Sequence, residues 1–493
     1  MTRDPTALYT ALQARDPRFD GVFYVGVTST GIYCRPICTA KTPKAANCRF
    51  FDTPAAAEQA RFRPCLRCRP ELAPGHAPVD DARRIAHLVA ARIEEGLSDG
   101  ARGLGAIAAR FGWSSRHLRR LVKQELGVSP IELALTRRLL LAKQLLTDTA
   151  LPVTEVAFAS GFSSLRRFND AFLRRYGMPP TRLRKATEAP AAAAETLTLP
   201  LGYRPPFDWD ALLDFLGTRA VAGVEVVADG RYHRTVKIGA HTGWVSVRNA
   251  PQRRSILVEL PHELTPVLPA LLGRLRQLFD LGARPDLIVA RLGQDPLLAA
   301  SVARHPGLRV PGAFDGFEIV LRAVLGQQVT VATASRLTAR VVAAYGERIA
   351  GAPGGLDCLT PSAERVAGLR AAEVAGLGIV RTRAACLVAV ATEVAAGRIR
   401  LEPGPMAGET LERLLAVPGI GPWTARYIAM RALGWPDAFL TGDAVVRNRL
   451  GGLSPRLAEE RSEPWRPWRS YATLHLWKSE PAPRSPTAIT TRP

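Results

Sequence analysis

Four cysteines near the amino terminus have the residue type and the spacing of a metal centre. They form two close pairs, Cys34 with Cys38 and Cys65 with Cys68. Two such pairs joined by a longer loop are typical of a tetrahedral Zn²⁺ ion held by four thiolates. A thiolate bound to zinc stays deprotonated at neutral pH, so it can also act as a nucleophile. The pattern predicts one four-cysteine zinc site and leaves open whether that site is structural or reactive.

Basic residues crowd these ligands in the sequence. Four thiolates around one divalent cation carry a net negative charge, which nearby cations offset. The same cations could hold a DNA phosphate beside the metal. Cys48 lies between the two pairs, and we interpret it as a structural thiol. The basic residues are Arg35, Lys41, Lys44, Arg49, Arg63, Arg67 and Arg69.

Two segments around the cysteines resemble the amino-terminal domain of the Ada family, over about residues 5–75. They are residues 31–36 (GIYCRP) and 62–68 (FRPCLRC). That family removes methyl groups from methylphosphotriesters in DNA. The resemblance implies that Cys34 is the methyl acceptor, with the other three cysteines completing the ligand set. Transfer to a thiolate gives a stable thioether and lowers the negative charge of the site, so we hypothesise an irreversible, damage-triggered electrostatic switch.

A second set of residues that could do chemistry lies near the carboxyl end. Residues 415–425 (LAVPGIGPWTA) predict a helix-hairpin-helix, in which Gly419 and Gly421 let the backbone approach a phosphate. Asp443 follows this hairpin, as in the helix-hairpin-helix DNA glycosylases that the segment resembles. The resemblance implies that Asp443 stabilises an oxocarbenium-like state or activates water. The alternative is an aspartate that only caps the next helix.

Three further segments resemble the AlkA branch of these glycosylases, which excises alkylated bases. They are residues 203–209 (YRPPFDW), 325–329 (LGQQV) and 465–472 (WRPWRSYA), and the resemblance covers about residues 197–478. It implies a small α/β subdomain and a pair of helical subdomains with a cleft between them. It places a DNA wedge, usually apolar, at Gln328, and the aromatic base pocket at Trp423, Tyr427 and Trp477.

The composition of the pocket favours positively charged alkylpurines, which electron-rich rings bind by cation–π stacking. Residues 417–442 contain no lysine, so we expect hydrolysis without a Schiff base. No cysteine follows Cys386, so the iron–sulfur cluster of related enzymes is not expected. We interpret Trp435 and Trp468 as core residues.

The region between the two chemical sites predicts DNA-binding helices. Residues 104–127 and 156–168 each have the pattern helix, serine-containing turn, helix, and a helix near 131–147 joins them. Two such units on one connector would meet successive major-groove faces. Residues 159–162 (ASGF) and 176–180 (YGMPP) resemble the DNA-binding domain of the AraC family, and the resemblance spans residues 82–185. Arginines early in the recognition helices could reach base edges; they are Arg116, Arg119, Arg120, Arg166 and Arg167.

The composition agrees with a nucleic-acid partner. The 493 residues carry 66 Lys and Arg against 44 Asp and Glu, a formal charge of +22. An arginine-rich genome is the alternative source of this excess. No apolar run is long enough to span a membrane and the amino terminus lacks a signal peptide. We therefore expect a cytoplasmic monomer that binds double-stranded DNA and RNA polymerase.

These observations predict a multidomain α+β chain. We expect a zinc domain over residues 1–75, an all-α double helix-turn-helix over 80–185, an α/β subdomain over 197–285 and a helix-hairpin-helix glycosylase over 286–478. Linkers are predicted at 70–79 and 186–195, and a disordered tail at 479–493. The combined hypothesis is an alkylation-response regulator fused to a base-excision enzyme. Two alternatives are a non-enzymatic regulator with structural zinc and an excisor of oxidised or mismatched bases.

Overall fold

Pairing of short strands brings the four cysteines together in the first unit of the chain. We describe a computed structural model over residues 4–73, 100–110, 113–185, 195–404 and 407–479. Most of both predicted linkers and of the predicted tail lies outside these described residues. Among the described helices, none combines the length and the apolar character that a membrane span requires.

The amino-terminal unit is a four-stranded sheet flanked by helices, which agrees with the predicted zinc α/β domain. The strands have the order β3-β1-β2-β4. Strand β2 pairs in parallel with β4, with Tyr33 opposite Pro64, so Cys34 and Cys65 at the ends of these strands become neighbours. The elements are α1 (Pro5–Gln13), β1 (Tyr24–Val27), β2 (Ile32–Cys34), β3 (Cys48–Phe51), α2 (Pro54–Gln59) and β4 (Arg63–Pro64).

The second unit is all-helical, and serines start both recognition helices as predicted. The Ser114 hydroxyl accepts a hydrogen bond from the His117 N–H, and the Ser164 hydroxyl from the Arg167 N–H. A long connector begins at a capping box of Ser129 and Glu132. The helices are α3 (Gly100–Arg110), α4 (Ser115–Leu126), α5 (Pro130–Asp148, the connector), α6 (Val153–Ala159), α7 (Leu165–Tyr176) and α8 (Pro180–Lys185).

An antiparallel sheet of five strands follows, in the order β5-β9-β8-β7-β6. One face of this sheet is apolar and packs against helices α9 and α10. This sheet and its helices agree with the predicted α/β subdomain. The elements are β5 (Thr196–Gly202), α9 (Trp209–Gly217), β6 (Glu225–Ala228), β7 (Arg231–Ile238), β8 (His241–Ala250), β9 (Ser255–Pro261) and α10 (Leu268–Leu278).

The remaining described residues form a helical body with its own apolar core. The helix-hairpin-helix consists of α18 and α19, and α20 begins directly after Asp443. The helices are α11 (Pro285–Leu292), α12 (Pro296–Arg304), α13 (Gly316–Leu325), α14 (Val331–Tyr345), α15 (Ala363–Ala367), α16 (Ala371–Ala375), α17 (Arg381–Ala395), α18 (Ala407–Leu415), α19 (Pro422–Arg431), α20 (Ala444–Arg449), α21 (Pro455–Ser462) and α22 (Arg469–Lys478).

The second unit packs directly on the first and third. One continuous apolar core contains buried residues of α5 to α8 and of the five-stranded sheet. The connector α5 also contacts the zinc domain through a buried ion pair, in which Lys143 Nζ lies 2.6 Å from a Glu71 oxygen. The Gln144 amide donates to the Pro200 carbonyl of β5 at 3.0 Å. The described units therefore pack against one another through shared interfaces.

Candidate functional site

The four predicted metal ligands converge in the structure. The sulfur atoms of Cys34, Cys38, Cys65 and Cys68 all lie within 4.8 Å of one another. A tetrahedral Zn²⁺ with bonds of ~2.3 Å to sulfur needs a cluster of about this size, so the donor set fits the metal. Cys38 and Cys65 are buried, while Cys34 and Cys68 are half-buried.

Two of the neighbouring cations have structural roles. Arg35 is 7% exposed and pairs with the buried carboxylate of Asp20. Its backbone N–H donates to the Cys68 sulfur at 3.3 Å, and its guanidinium donates to the Cys68 carbonyl at 3.1 Å. Arg69 pairs with Glu71 at 3.0 Å and with Asp148 of α5 at 2.6 Å. Both arginines thus brace the metal loop.

The other cations of this group are exposed around the metal site. The Arg49 guanidinium lies 5.4 Å from the centre of the Phe51 ring. The Cys48 thiol is half-buried, contacts the Lys44 carbonyl at 3.4 Å and lies outside the four-sulfur cluster. Burial raises the pKa of Cys48, which keeps this thiol protonated. The exposed cations are Lys41, Lys44, Arg49, Arg63 and Arg67.

The arginines predicted to read DNA lie on exposed faces of the two recognition helices. In α4 and α7 the apolar residues Leu118 and Phe168 are fully buried, which turns the opposite face of each helix to solvent. Glycines in the left-handed conformation, Gly127 and Gly177, end the two helices. The exposed arginines are Arg116, Arg119, Arg120, Arg166 and Arg167.

Asp443 caps a helix and also lies in an aromatic pocket. Its Oδ1 atom accepts the backbone N–H groups of Val445 and Val446, each at 3.0 Å, at the start of α20. The indole of Trp477 donates to the same oxygen at 3.0 Å. The indole of Trp423 donates to Oδ2 at 3.2 Å. The carboxylate is half-buried.

The three predicted pocket aromatics surround a cavity of about 480 Å³ that Asp443 also lines. Trp423 and Tyr427 are one turn apart on α19 and stack with their centroids 5.2 Å apart. Trp477 comes from α22 and stacks against Phe215 of α9 at 6.3 Å. Trp468, predicted to be core, is buried, and Trp435 packs against the core at its edge. A flat base has several aromatic faces to meet in this cavity.

The sequence interpretation missed one residue that lines the pocket, Arg219, and one that packs behind its wall, Phe215. Phe215 stacks on Trp477, and Arg219 lies one turn further along the chain with its guanidinium 3.8 Å from the Phe215 ring centre. Phe215 and Arg219 are four residues apart, about one helical turn, and that spacing was the signal available in the sequence. Because they come from the α/β subdomain, the sheet and its helix help to build the pocket.

A buried arginine closes the pocket behind Tyr427. Arg431 is 4% exposed and donates to the Tyr427 hydroxyl at 2.8 Å. Burial opposes ionisation of this hydroxyl, but the positive charges of Arg431 and two further arginines prevail and lower the pKa of Tyr427. Burial lowers the pKa of Arg431 itself. The Arg431 guanidinium therefore fixes the Tyr427 ring from its hydroxyl end.

The predicted wedge and hairpin are neighbours, and the wedge lies between two residues that line the cavity, Gly326 and Val329. Gln328 is exposed and has φ of 53°, in the left-handed region that side chains other than glycine rarely adopt. The adjacent Gln327 donates to the Gly419 carbonyl at 2.9 Å and to the Thr424 hydroxyl at 3.1 Å. This contact ties the loop that carries Gln328 to the hairpin.

The two hairpin glycines have different structural requirements. Gly419 has φ of 90°, and a β-carbon there would lie 3.0 Å from the β-carbon of the buried Cys386. Gly421 has φ of −89° and begins α19, and a β-carbon there would meet no atom within 4 Å. The fold itself therefore requires glycine at position 419 and leaves space for a close approach at position 421.

Four family profiles match successive parts of the chain. The metal binding domain of Ada matches residues 7–71, and a helix-turn-helix domain matches residues 107–186. The AlkA N-terminal domain matches residues 198–315. The HhH-GPD superfamily base excision DNA repair protein profile matches residues 321–467. Their order is that of the predicted units, so the predicted combination of domains is confirmed.

Relatives of known name match the same regions. A Mycobacterium tuberculosis protein described as a probable bifunctional transcriptional activator/DNA repair enzyme AlkA is 40% identical over 480 residues, covering 95% of each chain. DNA-3-methyladenine glycosylase 2 of Escherichia coli is 38% identical over 281 residues, covering 57% of this chain and 96% of its own. The solved 3-methyladenine DNA-glycosylase from Archaeoglobus fulgidus shares the fold, with a TM-score of 0.50, 21% identity and coverage of 56% of this chain and 96% of its own.

The matched segments include the three functional features of the structure. The four-cysteine centre, most of the helix-turn-helix pair and Asp443 lie within segments that the profiles cover. The 40% identity extends over nearly the whole length of the Mycobacterium tuberculosis protein, so it includes every unit. The chain belongs to the family of AlkA-type bifunctional transcriptional activators and DNA repair glycosylases.

Proposed function

We propose that the carboxyl-terminal unit hydrolyses the N-glycosidic bond of alkylated bases such as 3-methyladenine, with Asp443 as its catalytic carboxylate. The observation that carries this proposal is the position of Asp443, whose carboxylate lines the aromatic cavity and contacts two of its indoles. A pocket of this kind accepts a base that has rotated out of the duplex. Gln328, whose neighbours Gly326 and Val329 line the cavity, would fill the gap that the base leaves.

The chemistry follows from the charge that develops on the sugar. As the bond from the sugar C1′ to the base nitrogen breaks, the base leaves with the electron pair and the sugar becomes cationic. The Asp443 carboxylate stabilises this cation and orients a water molecule, whose oxygen bonds to C1′ while its proton passes to the carboxylate and then to solvent. Stacking on Trp423, Tyr427 and Trp477 favours cationic bases, which are good leaving groups.

Conversion of Asp443 to asparagine tests this assignment. We expect Asp443→Asn to release 3-methyladenine from alkylated DNA at least about a hundredfold more slowly than the wild type, because the neutral amide cannot stabilise the cation. The measurement is single-turnover base release from methylated DNA. Asp210→Asn is the matched control, since Asp210 is an exposed carboxylate of α9 outside the pocket lining. Equal release by Asp443→Asn and the wild type would remove Asp443 from the mechanism.

We also propose that Cys34 is a stoichiometric acceptor of methyl groups from DNA methylphosphotriesters. Two of the four sulfurs belong to half-buried residues, those of Cys34 and Cys68. The Cys68 sulfur accepts the Arg35 backbone N–H, which draws electron density away from it. Of these two half-buried cysteines, Cys34 is thus the more nucleophilic candidate, in agreement with the family resemblance.

The transfer is a displacement at the methyl carbon. The Cys34 sulfur forms a bond to that carbon, the bond from carbon to the phosphotriester oxygen breaks, and the phosphodiester leaves with the electron pair. Cys34, Cys38, Cys65 and Cys68 would hold a Zn²⁺ ion, which would keep their thiols deprotonated at neutral pH. The thioether product is a poor leaving group, so one protein molecule accepts one methyl group.

The helix-turn-helix pair makes the protein a DNA-binding regulator as well as an enzyme. We infer that Arg116, Arg119, Arg120, Arg166 and Arg167 contact DNA and that methylation of Cys34 raises the affinity for a promoter by lowering the negative charge at the metal site. Equal promoter affinity before and after stoichiometric methylation would contradict this switch.

We further propose the domain limits 1–75, 80–185, 197–285 and 286–478, a monomeric state, RNA polymerase as a partner and a cytoplasmic location.

A further inference from the structure

The pocket tryptophans contact the carboxylate of Asp443 through their N–H edges. Trp423 lies on α19, Trp477 lies near the end of α22, and Asp443 caps the start of α20. Three separate helices therefore converge on one side chain. A role limited to stacking on the base requires only the faces of the two rings, so the paired N–H contacts call for a second explanation.

The two oxygens of Asp443 are held unequally. Oδ1 accepts three hydrogen bonds, from the Val445 and Val446 backbone and from the Trp477 indole, each at 3.0 Å. Oδ2 accepts one, from the Trp423 indole at 3.2 Å. A carboxylate oxygen has about two lone pairs, so Oδ1 is saturated while Oδ2 retains acceptor capacity. The arrangement distinguishes an anchored oxygen from an available one.

We propose that Trp423 and Trp477 are positioning residues, whose indole N–H groups fix the Asp443 carboxylate so that Oδ2 faces the deoxyribose and its attacking water. This inference rests on the proposed catalytic role of Asp443. It assigns two tasks to each tryptophan: the ring face meets the flipped base and the N–H edge orients the carboxylate. A carboxylate held in this way needs no reorganisation when positive charge develops on the sugar.

Replacement of each tryptophan by phenylalanine separates the two tasks, because phenylalanine keeps an aromatic face and lacks the N–H donor. In Trp423→Phe, Oδ2 loses its single donor, so we expect the single-turnover rate of base release to fall roughly tenfold. In Trp477→Phe, Oδ1 keeps two backbone donors, so we expect a smaller fall, of roughly threefold. The affinity for lesion-containing DNA should change less than about twofold in both variants, since stacking remains.

A matched control exists elsewhere in the same unit. The Trp465 indole donates to the Asp295 carboxylate at 2.7 Å, at a site that does not line the pocket. Trp465→Phe thus removes the same kind of hydrogen bond, and we expect the rate of base release per folded molecule to remain that of the wild type. Wild-type release rates in both Trp423→Phe and Trp477→Phe, or a loss of affinity that accounts for the whole effect, would overturn the proposal.

A spectroscopic readout makes the test independent of catalysis. In ¹⁵N spectra of the indole groups of the full chain, Asp443→Ala should shift the Trp423 and Trp477 N–H resonances and leave that of Trp465 in place. Unshifted resonances would contradict the contact itself. The outcomes also separate the two proposals: an active Asp443→Asn removes the proposed catalytic role, whereas an inactive Asp443→Asn combined with active phenylalanine variants removes only the positioning role.

Discussion

At the residue scale, the chemical groups were predictable where ligand type and spacing are local. Two cysteine pairs specify a zinc site because the metal demands four soft donors at fixed separation, and the structure brings those four sulfurs together. The position of Asp443 in the aromatic pocket was predictable because the residue follows the hairpin in the sequence. Phe215 and Arg219 were not, because their part in the pocket depends on how α9 packs against the distant helix α22. Sequence periodicity predicts the helix but not its partner.

The identity of the methyl acceptor gives a residue-scale prediction. We expect Cys34→Ser to accept no methyl group from methylated DNA, because a serine hydroxyl is a weak nucleophile that is not ionised at neutral pH. Cys48→Ser is the control, and it should accept one methyl group like the wild type, since Cys48 lies outside the four-sulfur cluster. Mass spectrometry of peptides from the methylated wild type should locate the added group on Cys34. A methyl group on Cys38, Cys65 or Cys68 would contradict the assignment even if Cys34→Ser fails to fold.

At the element scale, the helices and strands follow from their caps and periodicity. Serine caps, a capping box and left-handed glycines start and end the helices of the helix-turn-helix pair, and all of these signals are local in the sequence. The left-handed backbone of Gln328 was not predictable, because glutamine has no preference for that conformation. The loop is held there by its neighbour Gln327, which bonds to the hairpin.

The two hairpin glycines give an element-scale prediction. We expect Gly419→Ala to destabilise the protein by about 1–3 kcal/mol, because alanine is strained at positive φ and would press on Cys386. Gly421→Ala should leave the stability within about 0.5 kcal/mol of the wild type, because its β-carbon meets open space. Urea unfolding measures both changes.

The DNA affinity of the same two variants tests the phosphate contact. If the backbone at Gly421 approaches a phosphate, Gly421→Ala should bind alkylated DNA more weakly while remaining as stable as the wild type. Unchanged affinity in Gly421→Ala would place the phosphate contact elsewhere on the hairpin. Equal stability of Gly419→Ala and the wild type would contradict the strain argument.

At the scale of the whole molecule, the sequence predicted units on linkers, whereas the described units share interfaces. Glu71 and Lys143 look like surface charges in the sequence, but they form a buried pair between the zinc domain and the connector α5. Arg204 of the third unit is fully buried and donates to the Asp20 carbonyl of the first. Contacts between residues so far apart in the chain leave no local pattern, so periodicity and spacing could not predict them.

Glu58 gives a prediction for one of these interfaces. It is a buried carboxyl of α2 that accepts hydrogen bonds from Tyr33 and from Thr136 of α5, each at 2.9 Å, with Arg175 of α7 at 3.4 Å. Burial raises its pKa to about 7, against the opposing effect of Arg175. Between its ordinary pKa of 4.5 and about 7 the folded carboxyl is protonated and the unfolded one is ionised. Folding stability therefore falls as the pH rises through this window.

The comparison with a neutral side chain isolates this effect. Relative to Glu58→Gln, we expect the wild type to lose about 3 kcal/mol of unfolding free energy between about pH 4.5 and pH 8, because the amide does not titrate. Urea unfolding at the two pH values measures the loss, and Glu155→Gln is the control at an exposed carboxyl of α6. Parallel pH dependences of the wild type and Glu58→Gln would contradict the raised pKa.

The central claim is that one chain carries two separate repair chemistries, at Cys34 and at Asp443. A single reaction with DNA that carries radiolabelled methyl groups tests it, with label counted both on the protein and as released free base. We predict that the wild type gives both signals, that Cys34→Ser gives only released base, and that Asp443→Asn gives only labelled protein. Loss of both signals in either folded variant, or label on folded Cys34→Ser protein, would contradict the account.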